Sequence, residues 1–393
     1  MIKLIKSTFY KEPETKRELL KFISGAKQLS FGVQCELFEK KFKKWQGRSY
    51  CVFVNSGSSA NLALIQALLN LGRLSKGDTV GFSACTWSTN VMPLIELGLV
   101  PIPVDVELDT LNVSSKQLKA VLKKHKLKAL LLTNLLGLCG DIDEIARMCK
   151  AQHIVLLEDT CESLGSVYKG KKLGNFGFAS TFSFYVGHHL STIEGGAVCT
   201  DDKELASMLQ IVRAHGWDRN LSLREQKRFR NTHKVNSPFY SRYTFYDLGF
   251  NMRPTEINGF LGAIQMKYVD EIVKQRQQNF LELAPLLYKN STQYMPLRYT
   301  HMDVFSSFSF PLVCLSPKIR ESIVVACVGK IEIRPIVGGS IVRQPFYRKY
   351  HTSVRCPNAD IIHRRGLYFG NNPELTRKER ITILNTFSIG AMK

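Results

Sequence analysis

Thr181-Phe182-Ser183-Phe184-Tyr185-Val186-Gly187-His188-His189-Leu190-Ser191-Thr192-Ile193-Glu194-Gly195-Gly196 is the stretch on which the reading of this chain turns. It holds a strand, a polar turn with two adjacent histidines, and an acidic residue with a glycine pair that opens another apolar strand. Adjacent histidines rarely converge on one metal ion without further ligands. An imidazole titrates near neutrality and can carry a proton. On these residues alone the turn is either structural or a proton-carrying site.

On both sides of this stretch, short apolar runs alternate with helical patterns. Candidate strands are 50–55, 79–83, 99–105, 129–134, 154–158, 179–184 and 196–200; helical segments such as 61–71 and 142–151 lie between them. Such alternation predicts an α/β fold, a largely parallel sheet covered on both faces by helices. Ligands of such sheets gather at the carboxyl ends of the strands. Residues 1–50 read as a lead-in with amphipathic helix (LLKFI, LFEKKFKKW), and Arg219 to about Tyr240 as a charged mobile or partner-facing loop. A long helical pattern over 256–280 leads to strands at 306–314 and 331–336. The expected division is a large domain over 1–254 and a smaller α+β domain over 255–393.

Composition narrows the function classes. The 393 residues are 44% hydrophobic and 22% charged, ordinary values for a globular chain with a buried core. Near the N-terminus MIKLIKSTFYKEP mixes charges with its apolar residues, and no apolar run reaches membrane-spanning length, so a cytoplasmic protein without a membrane partner is expected. The ten cysteines form no CxxC pair and suit neither a zinc site nor an iron–sulfur cluster. Net charge is +21, but Lys and Arg are dispersed and accompany no nucleic-acid-binding signature. No nucleic-acid partner is expected; the same field favours an anionic small molecule.

Three further motifs carry polar groups. Asn55-Ser56-Gly57-Ser58-Ser59-Ala60-Asn61 follows a strand and opens a helix. It suits either an ordinary N-cap or an anion cradle, where small residues let amide groups approach. Val155-Leu156-Leu157-Glu158-Asp159-Thr160-Cys161-Glu162 ends a strand in carboxylates; Asp159, terminating the run, can hold a protonated pyridine nitrogen. Glu158 and Glu162 can equally cap a following helix. Trp87 follows the strand at 79–83 and is either a core residue or a face for a planar ligand.

Taken together, in order and wording, these motifs resemble the DegT/StrS-type sugar aminotransferases, a family of fold-type-I pyridoxal phosphate enzymes. The likeness runs from Ser30-Phe31-Gly32 through Gln344-Pro345 and includes Asp105–Asn112, Arg213-Ala214-His215-Gly216 and Gly249–Pro254. Typical members place a lysine in the turn after Ser-Phe, where it holds the cofactor covalently. Here that position is His188, and no lysine lies between Lys172 and Lys203. An imidazole cannot make the lysine's link. This departure resembles the 3-dehydratase branch of the family.

The resemblance implies the following roles. His188 is the catalytic proton carrier for loss of the C3 hydroxyl from a nucleotide-linked 4-keto-6-deoxy sugar, expected to be GDP-4-keto-6-deoxymannose. L-glutamate aminates pyridoxal 5'-phosphate to pyridoxamine 5'-phosphate. Asp159 keeps the pyridine nitrogen protonated, Glu162 sits beside the ring hydroxyl, Trp87 stacks on the ring, and Gly57, Ser58 and Ser183 hold the phosphate. Asn251 reaches the phosphate of the partner subunit's cofactor in a homodimer with shared sites, and His215 approaches the same place. Arg334, in Ile331–Gly339, belongs to a sugar-binding strand. Alternatives are a 4-aminotransferase with a different base and a catalytically inactive cofactor-binding protein.

Overall fold

The computed structural model describes residues 1–388 except Asn290 and Ser353. Every run expected as a strand in the first 200 residues enters one sheet. These are β1 (Tyr50–Val54), β2 (Thr79–Ser83), β3 (Val100–Val104), β4 (Ala129–Thr133), β5 (Val155–Asp159), β8 (Ala179–Ser183) and β9 (Gly196–Thr200). A two-stranded hairpin of β6 (Val167–Tyr168) and β7 (Lys171–Lys172) lies outside that sheet. The sheet order is β1-β9-β8-β5-β4-β2-β3. All neighbours pair in parallel except β9, which is antiparallel to both β1 and β8. The connection 184–195 from β8 to β9 contains no helix, so the chain returns as an antiparallel neighbour.

Alternation along β8 and the residue beyond it decides which side chains reach the site. Phe182 and Phe184 turn to one face and pack edge-on with Phe38, Phe42 and Phe53, at centroid separations from 4.9 Å for Phe38–Phe184 to 5.9 Å for Phe53–Phe184. All five rings are fully buried, each worth about 1.5–3 kcal/mol of transfer free energy. Thr181 points the other way, donating to Asn61 Oδ1 at 2.7 Å in the helix Gly57–Asn70. Ser183 shares that face.

Several expectations are adjusted by the structure. The N-terminal lead-in is two helices, Glu12–Gly25 and Val33–Gln46. The pattern over 256–280 is likewise two helices, Glu256–Gln265 and Val269–Tyr288; no glycine or proline marks the break, so periodicity alone reads through it. The stretch 219–240, expected as a loop, contains the helix Leu223–Thr232, capped by Ser222, with no buried residue. Its five charged side chains obscure an apolar stripe. Beyond it, β10 (Ser309–Val313), β11 (Ile333–Arg334) and β12 (Gly366–Gly370) form an antiparallel sheet in the order β10-β12-β11. Its central strand β12 was not anticipated.

Asp105 joins this C-terminal part to the large sheet. Its carboxylate accepts the amides of Asn358 (3.0 Å) and Ala359 (2.9 Å), at the start of the helix Pro357–Arg365.

Candidate active site

A cavity of about 440 Å³ opens at the carboxyl ends of β4, β5 and β8, where Thr133, Asp159 and Ser183 reach it. The helix Gly57–Asn70 forms one wall, and Arg334 and Tyr368 of the C-terminal sheet close it with Phe308, just before β10. Eight of the expected site residues line it: Gly57, Ser58, Trp87, Asp159, Glu162, Ser183, His188 and Arg334.

Asp159 is buried at the end of β5 with three donors on its carboxylate. Oδ2 accepts from Asn61 Nδ2 (3.0 Å) and Asn90 Nδ2 (2.6 Å), and Oδ1 from the Cys161 amide (2.9 Å). A carboxylate has about four acceptor positions, so these three leave room for another donor, and Asp159 lines the cavity. Glu158 serves structure instead: its carboxylate takes the amides of Gly174, Phe176 and Gly177 at 2.6–2.7 Å. No helix follows β5 directly, which removes the capping alternative for Glu158 and Glu162.

The helix Gly57–Asn70 begins beside Ser183. Ser56 caps it by accepting the Ser59 amide at 3.0 Å. A Cβ on Gly57 would stand 2.7 Å from Ser183 Cβ, so only glycine permits this approach. Gly196 is equally tight, its added Cβ falling 2.2 Å from the Ser56 carbonyl. The exposed Ser58 hydroxyl has no hydrogen bond among the described residues, leaving it free beside the positive end of a 14-residue helix.

His188 stands across the cavity. Its ring lies 5.2 Å from Phe308 and 6.0 Å from Tyr185, and Nδ1 is buried without a hydrogen-bond partner among the described residues. Burial pushes the imidazole down to about 4, with Arg276 adding to the depression and Asp159 opposing it. The imidazole is therefore neutral at pH 7, able to accept a proton. Neighbouring His189 is buried away from the cavity. Glu162 goes the opposite way: burial raises it to about 8, and its Oε2 accepts the Leu136 amide at 3.1 Å. It is a neutral donor at neutral pH. Trp87 is 53% exposed, which rules out the core reading and leaves an indole face on the cavity.

Arg334 arrives from β11, its Nη2 paired with Glu332 Oε1 at 2.5 Å and its register partner Tyr368 beside it. His215 and Asn251 do not line this cavity. Both are exposed on a neighbouring edge, where Ala214 bridges Asn251 and the His215 ring lies 5.5 Å from Trp217. Sequence reasoning missed Asn61, Asn90, Glu332 and Tyr368. Asn61 lay within the quoted Ser-rich motif and Glu332 within Ile331–Gly339; nothing local marked Asn90 or Tyr368.

Residues 11–388 match the DegT/DnrJ/EryC1/StrS aminotransferase family. The chain belongs to that family. It is 34% identical to GDP-4-keto-6-deoxy-D-mannose 3-dehydratase of Yersinia pseudotuberculosis over 374 residues, 93% of each chain. With the enzyme of that name from Escherichia coli O55:H7 it shares 35% over 89% of this chain and 90% of the relative. Among solved structures, a mutant GDP-4-keto-6-deoxymannose-3-dehydratase with bound GDP-perosamine superposes with a TM-score of 0.87 at 31% identity, covering 98% of this chain and 100% of that one. The E. coli enzyme with bound hydrated pyridoxal phosphate gives the same TM-score. The fold is thus that of the fold-type-I pyridoxal phosphate enzymes. The cavity fits that cofactor on its own terms: an acceptor position on buried Asp159 for the pyridine nitrogen, a glycine-dependent cradle at Gly57 and Ser183 for the phosphate, and the Trp87 face for the ring.

Proposed function

We propose that this chain is a pyridoxal phosphate-dependent 3-dehydratase that removes the C3 hydroxyl of a GDP-linked 4-keto-6-deoxy sugar, GDP-4-keto-6-deoxymannose, with L-glutamate as amino donor, in deoxysugar synthesis for surface polysaccharide. One observation carries the reading. The cavity gathers Gly57, Asp159 and Ser183, residues suited to the cofactor, yet the turn that faces them offers the imidazole of His188, and no lysine is among the described residues lining the cavity. The relatives at 34–35% identity bear that activity in their names, and one solved neighbour contains a trapped adduct of pyridoxal phosphate with glutamate.

When bound and aminated by glutamate, the cofactor supplies an amine for the sugar's C4 ketone and an electron-withdrawing ring. The residues do the rest. Asp159 holds the proton on the pyridine nitrogen, oriented by Asn61 and Asn90. Gly57, Ser58 and Ser183 fix the phosphate with backbone amides and hydroxyls. Neutral His188 takes a proton at the cofactor's C4′ carbon and returns it to the departing C3 oxygen. Glu162, neutral in the cavity, donates toward the ring oxygen. Arg334 and Tyr368 stand where the sugar nucleotide enters.

Two features extend the reading to the assembly. Asn251 and His215 are exposed, away from the chain's own cavity, and would complete the site of a second subunit in a homodimer. No helix among the described residues is long and apolar enough to cross a membrane; we place the enzyme in the cytoplasm, where nucleotide sugars are made.

The test is product analysis after incubation with pyridoxal phosphate, glutamate and GDP-4-keto-6-deoxymannose. A 4-keto-3,6-dideoxy sugar with free ammonia is expected. An amino sugar instead would make the chain a 4-aminotransferase, and cofactor binding without any turnover would make it an inactive binder.

A further inference from the structure

We propose that a second cavity, in the C-terminal part, binds the diphosphate group of a nucleotide. It measures about 460 Å³ and shares no lining residue with the cavity that holds His188. Its walls come from the turn Ile341–Arg343, the helices Pro345–Tyr350 and Pro357–Arg365, and Val354 and Arg355 before the second helix. Four arginines line it, Arg343, Arg348, Arg355 and Arg364, against one acid, Asp360.

That acid is already used. Arg343 Nε donates to Asp360 Oδ1 at 2.6 Å and Nη2 to Oδ2 at 2.7 Å, a two-pronged pair that engages both oxygens. Among the described residues the Arg364 guanidinium makes one hydrogen bond, to the Asp360 backbone carbonyl at 3.3 Å from Nε. The side chains of Arg348 and Arg355 have neither hydrogen bond nor ion pair among the described residues. Besides Arg343, three guanidinium groups therefore share one space whose single lining carboxylate is already paired.

On a chain of net charge +21, exposed arginines are often only a solvated face. Two features set this place apart. The cations converge on a concavity within the roughly 300–1,000 Å³ range of small-molecule sites. The same cavity also has apolar walls, Val342, Val354 and Ile361. Planar guanidinium forks match phosphoryl oxygens, three of them suit the charge of a diphosphate, and the apolar side suits a base or ribose. The occupant is either a free nucleoside diphosphate or a nucleotide-linked sugar, and both carry the chemistry recognised here.

The experiment titrates the cofactor-loaded full chain by calorimetry with inorganic pyrophosphate, GDP and GDP-mannose. Pyrophosphate should bind the parent chain and weaken by at least about 10-fold in the double variant Arg348→Ala/Arg355→Ala, from loss of charge-assisted hydrogen bonds. GDP should fill two sites per chain, of which the double variant keeps one. Arg348→Lys/Arg355→Lys should fall between, keeping charge but losing the forks. Whichever of GDP and GDP-mannose binds this site more tightly identifies its occupant. A single GDP site left intact by the double variant, or pyrophosphate binding that the variants do not alter, overturns the proposal whether or not the chain dehydrates a sugar.

Discussion

Arg276 Nη2 donates to the backbone carbonyl of His188 at 3.1 Å, and its Nη1 donates to the carbonyls of Phe308 (3.3 Å) and Asn371. One buried guanidinium thus holds the histidine and the residue whose ring packs on its imidazole. It has no carboxylate partner among the described residues, and burial lowers it to about 9. Its charge also disfavours protonation of His188. Arg276→Met should raise the midpoint at which the His188 ring titrates, read by NMR, and slow dehydration by about 10-fold or more, because small displacements of a reacting group are costly. Arg276→Lys should restore part of both. A midpoint that does not move while stability falls would reduce Arg276 to packing.

His188→Asn should keep cofactor affinity and lose about 10²–10⁴ in dehydration rate, the usual range for removing a general acid–base group. His188→Lys should restore the absorbance band of a covalently held cofactor. Normal turnover by the asparagine variant would remove His188 from the chemistry.

Gly57→Ala forces a methyl group to within 2.7 Å of Ser183 Cβ. Overpacking of this kind costs about 1–3 kcal/mol. Either Ser183 or the helix start must shift, so pyridoxal phosphate should bind more weakly while Ser58→Ala, which leaves the backbone in place, has a smaller effect. Equilibrium titration of the cofactor checks the order.

Glu162 and His188 give the cofactor-free protein two opposed pH dependences. Between about pH 4.5 and 8 Glu162 is neutral when folded and charged when unfolded. Folding takes up a proton there, so stability falls as pH rises, by at most about 1.4 kcal/mol per pH unit. Between about pH 4 and 6.5 His188 is neutral when folded and charged when unfolded, so stability rises with pH. Relative to the parent chain, Glu162→Gln should gain melting temperature from pH 5 to 8, and His188→Asn from pH 7 down to 4.5. Parallel curves for parent and variant would contradict the burial argument.

If Asn251 completes the partner's site, His188→Asn and Asn251→Ala chains should each be weak alone, and mixing them should recover activity. In mixed dimers one of the two sites carries both intact residues. No recovery in a verified mixed dimer would confine each site to one chain.

Much of this was legible because it is local. The seven strands of the large sheet are short apolar runs with polar ends, and Gly57, Asp159, Ser183 and His188 stand in contiguous motifs at those ends. What was not legible depends on distant packing. Asn90 meets Asp159 across 69 residues and Arg276 meets His188 across 88. Neither residue has a local pattern to announce it. The direction of β9 was hidden because its composition suits either orientation, and β12, bounded by Gly366 and Gly370, carries turn signals at both ends.

The half-open indole of Trp87 has a practical corollary. Trp45 donates to Asp270 and Trp217 lies flat on Phe245, and of the three tryptophans only Trp87 lines the chain's own cavity. An electron-poor ring settling against it would quench its emission, making fluorescence a direct meter of how many chambers are filled.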